Sequence, residues 1–317
     1  MLKVVPMEEN DIAEAIKLWG AQFYHYCHCN DFPDFFSGGK ETIEKYLLQQ
    51  INEGNAIVAK KEDSFAGYMA WMYFDFHNER SALLPTVGNA ANLENENAIF
   101  HEMYLIASKK WIQDDRFNHL WMTFYDDICL QEMLYNIGFG SHGIDACRQT
   151  EPQTFALASN FKITEATEND ADEVLAMANE SELNLLNPPV FLVREQWTRD
   201  EIIEHINTDK TFIAWDKNRA IGMMSVDINQ KHHFERLTTT DSAGGLWAYI
   251  RPEYRGKGIG TQLLQKTCEY CHKNGKPFLH VGFESANPDA IRFWPKYFKP
   301  AIRSVRRTVN KDANTLV

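Results

Sequence analysis

The distribution of apolar and polar positions repeats itself along this chain. A short strand-like run, Lys3-Val4-Val5, precedes the polar stretch Glu9-Asn10-Asp11-Ile12-Ala13-Glu14. The same order returns as Lys162-Ile163-Thr164 and then Glu168-Asn169-Asp170-Ala171-Asp172-Glu173, 159 positions later. Asn or Asp at such a place accepts the free N–H groups that open a helix. Helical periodicity then closes on Leu47-Leu48-Gln49-Gln50-Ile51-Asn52 and on Ile202-Ile203-Glu204-His205-Ile206-Asn207, an offset of 155. Strands follow in both copies, Ala56–Ala59 and Phe212–Trp215, each with a Gly-led second strand, Gly67–Trp71 and Gly222–Val226. The drift between the two offsets is small. This pattern marks a duplicated unit.

Each copy reads strand, helix, helix, strand, strand, strand, helix, strand, helix. Antiparallel hairpin strands leading into a strand–helix–strand unit predict an α+β class with a mixed sheet. The natural joint is the polar stretch from Thr150 to Asn160, which contains Pro152. Two domains are therefore expected, 1–152 and 160–317.

The copies differ most where the third long strand meets its helix. In the second, the strand Gly245-Leu246-Trp247-Ala248-Tyr249-Ile250 leads into Arg251-Pro252-Glu253-Tyr254-Arg255-Gly256-Lys257-Gly258-Ile259-Gly260, and the apolar-striped helix Thr261–Lys266 follows. Glycines let main chain approach an anion without a Cβ in the way. The unpaired N–H groups of a first helical turn then point at it, with the helix dipole adding to the attraction. Arg255 and Lys257 bring charge. The P-loop spacing is excluded because no Lys-Ser/Thr follows Gly260, and the dinucleotide spacing because the glycines stand at 256, 258 and 260. In the first copy, Met103–Ala107 reads as the matching strand, followed by Ser108-Lys109-Lys110-Trp111-Ile112, and no glycine occurs between Gly88 and Gly138.

Charge sharpens this contrast. The 317 residues carry a net −12, yet Arg251 to the end holds 13 Lys and Arg against 5 Asp and Glu, leaving 19 against 39 before it. The acidic total argues against nucleic-acid binding, and the local basic excess of +8 fits one anionic ligand held at one place. No apolar stretch reaches the roughly 20 residues of a membrane helix, and the opening Met1–Glu8 has no apolar core of a signal peptide. A cytoplasmic location without membrane partners is expected. The six cysteines do not suggest a disulfide framework. Cys268-Glu269-Tyr270-Cys271-His272 matches a haem-attachment spacing, but its cysteines share a stripe with Ile259, Leu263 and Leu264 and read as helix core. His25-Tyr26-Cys27-His28-Cys29 lacks a second ligand pair, and no metal is expected.

The spacing R-x-x-G-x-G at Arg255–Gly260 resembles the GNAT (Gcn5-related N-acetyltransferase) superfamily, whose acetyl-CoA pyrophosphate loop reads [QR]-x-x-G-x-[GA]. A second family signature, a strand followed by N-x-x-A, is matched by Phe278–Phe283 with Asn287 and Ala290. The first copy ends Leu134-Tyr135-Asn136-Ile137-Gly138-Phe139, similar to the family's closing L-Y-x-x-x-G-F but one residue short. The resemblance implies two tandem GNAT-like acyl-CoA N-acyltransferase domains, the first degenerate and structural, the second catalytic. It implies acetyl-CoA as co-substrate, with direct transfer to a primary amine of a small-molecule or peptide acceptor. Cofactor contacts fall on Tyr249, Ile250, Arg255, Gly256, Lys257, Gly258, Ile259, Gly260, Thr261 and Asn287, the backbone of Tyr249 and Ile250 serving the pantetheine arm. The family's acidic tyrosine maps to Trp294, whose indole is no proton donor near neutral pH. Tyr297, one turn on, takes that role. Glu284 is the candidate base, with Glu235, His232, His233 and Asp241 as competitors. Arg292, Arg303, Arg306 and Arg307 are candidates for CoA phosphates. The closing Gly-Phe is replaced by Phe298-Lys299-Pro300, a departure that bears on the catalytic tyrosine, and Trp294 in the tyrosine's place leaves open a CoA-binding sensor without chemistry. Monomer and homodimer are both compatible with a duplicated chain.

Overall fold

A computed structural model describes residues 2–36, 39–151, 161–229, 237–239 and 241–315. These divide into two compact units. The first takes the described residues from 2 to 145 with 237–239 and 300–315, and the second takes the remainder. The contiguous division at 152/160 is therefore not how the compact units are composed.

In the first unit the order is β1 (Leu2–Pro6), α1 (Ile12–Cys29), α2 (Gly39–Asn52), β2 (Ala56–Lys61), β3 (Ser64–Ala70), β4 (Met72–Phe76), β5 (Glu79–Leu84), β6 (Asn89–Ala91), α3 (Glu96–Gln113), β7 (Asn118–Phe124), α4 (Ile128–Asn136) and the start of β8 (Gly140–Gln149). Strands β1-β2-β3-β6 form one sheet. The hairpin β4–β5, absent from the expected order, is an insertion whose second strand lies parallel to β7.

The run Met103–Ala107, expected as a strand, lies inside α3. Ile99, Phe100, Met103, Tyr104, Ala107 and Trp111 are buried, which is the spacing of a helix face over a wider window. The strand that precedes this helix is the three-residue β6.

The second unit contains β9 (Lys162–Glu165), α5 (Ala171–Leu185), α6 (Arg199–Thr208), β10 (Lys210–Asp216), β11 (Arg219–Asp227), β12 (Ser242–Ile250), α7 (Ile259–Lys273), β13 (Phe278–Glu284) and α8 (Pro288–Phe293). Helices α5 and α6 cover one sheet face through Val174, Met177, Ile202, Ile213, Met223 and Tyr249. Helix α7 covers the other, where Tyr270 meets Phe212 edge-on at 6.0 Å. Ile259, Leu263, Leu264, Cys268 and Cys271 form its buried stripe. Burying an aliphatic side chain of that size stabilises by roughly 1.5–3 kcal/mol.

The last strand, β14 (Lys299–Thr308), follows α8 in sequence but pairs with β7 of the first unit, from Ile302 opposite Phe124 to Thr308 opposite Asn118. In the second unit the place beside β13 belongs to β8, whose residues 146–149 lie in that unit. There Thr150 donates its N–H to Pro277 at 2.9 Å, and Cys147 Sγ lies 3.4 Å from His280 Nε2. The sheet order is β8-β13-β12-β11-β10-β9.

The repeated polar stretches act as helix starts, though through their second acidic residue. Glu8 N–H donates to Asp11 at 3.0 Å and Thr167 N–H to Asp170 at 2.9 Å, each across a 3₁₀ turn.

Candidate active site

Beyond Ile250 the chain makes a 3₁₀ turn at Pro252–Tyr254, passes through Gly256 and Gly258, and enters α7 at Ile259. Gly256 has φ +75° and Gly258 φ +82°, the left-handed region that disfavours any side chain. A Cβ on Gly256 would meet nothing within 4 Å, so conformation, not crowding, selects glycine there. Gly258 stands at the cap of α7, and no side chain caps this helix end. The first intrahelical bond runs from Gln262 N–H to Gly258 C=O at 3.1 Å. The amides of Ile259, Gly260 and Thr261 therefore precede the helical ladder and face the helix mouth. Amides in this arrangement form a cradle of the size that suits a phosphate-sized anion.

Next to the cradle the sheet opens. Among the described residues, strands β12 and β13 are in parallel register at Ser242–Phe278 and Ala243–Leu279 only. The β11–β12 register shifts between Ser225 and Asp227, beside Gly245 with φ +58°. A bulge of this kind turns a strand away from its neighbour. Between the diverging strands lies a groove of about 710 Å³, lined by Leu246–Ile250 from β12, Gly282–Glu284 from β13, and the cradle.

Strand pairing decides which main-chain groups face this groove. Arg251 N–H donates to Ile221 C=O at 3.1 Å, and Tyr249 lies opposite Met223. In an antiparallel ladder such pairs alternate. The polar backbone of Tyr249 thus turns to β11, and that of Ile250 and Ala248 turns to the groove. The phenol of Tyr249 is buried in the core of the α5 face, where burial first, and then the charge of Glu180, raise its pKa.

Side chains around the cradle are largely engaged. The Arg255 guanidinium donates to Ile250 C=O at 3.0 Å, Asp289 at 2.5 Å and Asn184 at 3.2 Å, so it braces the loop. Lys257 is exposed, its ammonium 4.7 Å from the centre of the Tyr254 ring. Asn287 caps α8, accepting from Asp289 N–H at 3.1 Å and Ala290 N–H at 3.2 Å. A Cβ on Gly260 would approach Phe293 to 3.0 Å, so this residue brings α8 against the first turn of α7. Tyr297 Oη lies 2.6 Å from Thr261 Oγ1, and both line the groove. Trp294 is buried between Phe293 and Phe298. Glu284 ends β13 and pairs with Arg194 at 3.3 Å.

Of the competing bases, Asp241 directly precedes β12, and His232, His233 and Glu235 lie outside the described residues. Arg292 lines the groove. Arg303, Arg306 and Arg307 do not join it. They sit on β14 in the first unit, where Arg303 donates to Ser141, Arg306 to Asn118 and Glu79, and Arg307 to Tyr104. Strand pairing overrode their proximity in sequence. Ala248, Glu182, Arg194 and Trp247 also belong to the site, although no motif marked them.

The sequence profile of the Acetyltransferase (GNAT) family matches residues 174–298. An uncharacterized N-acetyltransferase of Methanocaldococcus jannaschii is 21% identical over 152 residues, covering 47% of this chain and 65% of that protein. The chain thus spans a little under two thirds of that relative's length. A second uncharacterized N-acetyltransferase, from Archaeoglobus fulgidus, is 24% identical over 134 residues, 42% of this chain and 89% of its own. Among solved structures, a GCN5-related N-acetyltransferase from Sphaerobacter thermophilus superposes with a TM-score of 0.57 at 12% identity, over 97% of this chain and 95% of that one. A GNAT-family acetyltransferase from Colwellia psychrerythraea gives 0.50 at 12% identity, over 98% and 100%. The fold is that of the GNAT family. Among the described residues no helix is long and apolar enough to cross a membrane, and no group of three or more His, Cys, Asp or Glu is placed to hold a metal.

Proposed function

We propose that the second unit transfers an acetyl group from acetyl-CoA to a primary amine. The observation that carries this reading is the opening of β12 from β13 beside an uncapped, glycine-led helix. A diphosphate fits the amides of residues 256–261, and an extended amide-bearing arm fits the backbone of Ala248 and Ile250 as a further strand. Bound acetyl-CoA supplies an acyl group activated as a thioester.

The remaining tasks fall to side chains and main chain. Glu284, at the groove end of β13, takes the proton of the attacking amine, directly or through water. An N–H turned inward from β12 steadies negative charge that develops on the carbonyl oxygen. Tyr297, held by Thr261 at 2.6 Å, returns a proton to the departing sulfur. One C–N bond forms as one C–S bond breaks, and one proton leaves nitrogen as another reaches sulfur. The balance needs no oxidant or metal. The first unit serves as scaffold.

Release of free thiol from acetyl-CoA, followed over a panel of polyamines, aminoglycosides and amino acids, tests the reading. Amine-dependent release is expected. Tight acetyl-CoA binding with no turnover on any amine would instead support a sensor, the role to which Trp294 in place of tyrosine points.

A further inference from the structure

We propose that the acceptor end of this groove is built for an amine bearing a second positive charge, with the reacting nitrogen at Glu284 and the distal cation at Glu182. The inference rests on the acetyl-transfer reading and names the class of its acceptor.

Glu182, on α5, lines the groove and is only 4% exposed. Its Oε1 accepts from Trp197 Nε1 at 3.2 Å, and its Oε2 has no hydrogen-bond partner. A buried carboxylate oxygen left in that state is costly, because desolvation has not been offset by a bond. The cation beside this oxygen is Arg194, whose Nε stands 4.0 Å away, while its Nη2 reaches Glu284 at 3.3 Å. Both separations exceed the roughly 2.7–2.9 Å of a strong charge-assisted bond. Arg194 is half exposed and lies between α5 and α6, outside both helices. It bridges the two carboxylates loosely, as a replaceable cation would.

The aromatic surroundings agree. Trp247 lines the groove and stacks on Trp197, with centroids 5.0 Å apart and planes 16° from parallel. Trp197 turns its N–H edge to Glu182, and the Trp247 indole on the same groove wall favours a cation nearby. The attacking nitrogen cannot supply that charge, because it must be neutral when it attacks. A second cationic group on the acceptor is therefore needed to match Glu182. A carboxylate at the same position would be repelled.

The test is calorimetry on the full chain saturated with coenzyme A, titrated with α,ω-diamines of three to five carbons and with ω-amino acids of equal length. Diamines should bind at least about tenfold more tightly than the amino acids. Glu182→Gln, which keeps an acceptor for Trp197, should erase that preference and leave coenzyme A affinity unchanged. Arg194→Ala should tighten diamine binding several-fold, and it stands as an independent check should Glu182→Gln fold poorly. Equal affinity for both probe classes, no binding of any diamine, a preference that survives in Glu182→Gln, or no gain in Arg194→Ala would overturn the inference while leaving acetyl transfer intact. Failure of coenzyme A itself to bind would remove both.

Discussion

The duplicated units present the same helix start twice and treat it in opposite ways. In the second, Gly256 and Gly258 hold the main chain back from the mouth of α7, and the neighbouring helix α8 is capped by the neutral Asn287. In the first, no residue from 79 to 114 among those described takes a positive φ, and the first turn of α3 carries the buried Glu96. Gln22 donates to Glu96 Oε1 at 3.1 Å and to Ala91 C=O at 3.0 Å. Here α4 is capped by Asp127, which accepts from Leu130 N–H at 3.1 Å. Burial first, and then the charge of Asp127, push the Glu96 carboxyl up to about 8. A buried protein carboxyl thus stands in the first turn of one helix, while a glycine-led turn with no side-chain cap begins the other. Two side chains and two glycines, on one shared frame, distinguish the two helix starts.

The largest effect is expected from closing the open mouth. Gly258→Glu places a side chain at φ +82° and a negative charge at the cradle, and acetyl-CoA affinity should fall about 100-fold or more. Glu94→Lys, at the corresponding turn of the first unit, should change that affinity less than about twofold, because no cradle exists there. Titration calorimetry on both variants checks the pair. The helix position Lys109 is not the equivalent site, since it lies well inside α3.

Next comes Tyr297→Phe. If its hydroxyl protonates the leaving sulfur, turnover should drop about 100-fold with acetyl-CoA affinity unchanged. Unaltered turnover would remove Tyr297 from the chemistry and leave Thr261 as a purely structural neighbour.

The filled mouth has its own signature in pH. Glu96 titrates near 8 when folded and near the ordinary carboxylate range when unfolded. As pH rises between those values the unfolded chain gives up its proton first, so stability falls across the window and levels off above about 8. Thermal midpoints measured from pH 5 to pH 8 should decline, and Glu96→Gln should flatten that decline. An unchanged slope would mean that Glu96 does not hold its proton.

The smallest effect belongs to Gly256→Ala. Space is open around this residue, so only backbone strain of about 1–2 kcal/mol applies. Acetyl-CoA affinity should weaken by about thirtyfold at most.

Local chemistry was what the sequence made readable. The glycine turn, the strand before it and the helix after it lie within one short segment, so spacing alone located the cradle. Features that depend on distant partners were hidden. Strands β8 and β14 look alike as alternating patterns, and nothing in either states that Ala146–Gln149 will complete the second unit while β14 joins the first. The same exchange carries Arg303, Arg306 and Arg307 out of the site to which their position in the chain assigned them. Met103–Ala107 misled because five apolar residues in a row fit a buried strand as well as a helix face. Arg194 and Glu284 meet across 90 positions, and no motif joins them.

A crystal structure with bound acetyl-CoA bears most directly on the role of the α7 mouth. The account predicts diphosphate density on the amides of residues 256–261, the arm alongside Ala248 and Ile250, and none at the start of α3. Density at α3, or an empty cradle beneath α7 at saturating ligand, would contradict it.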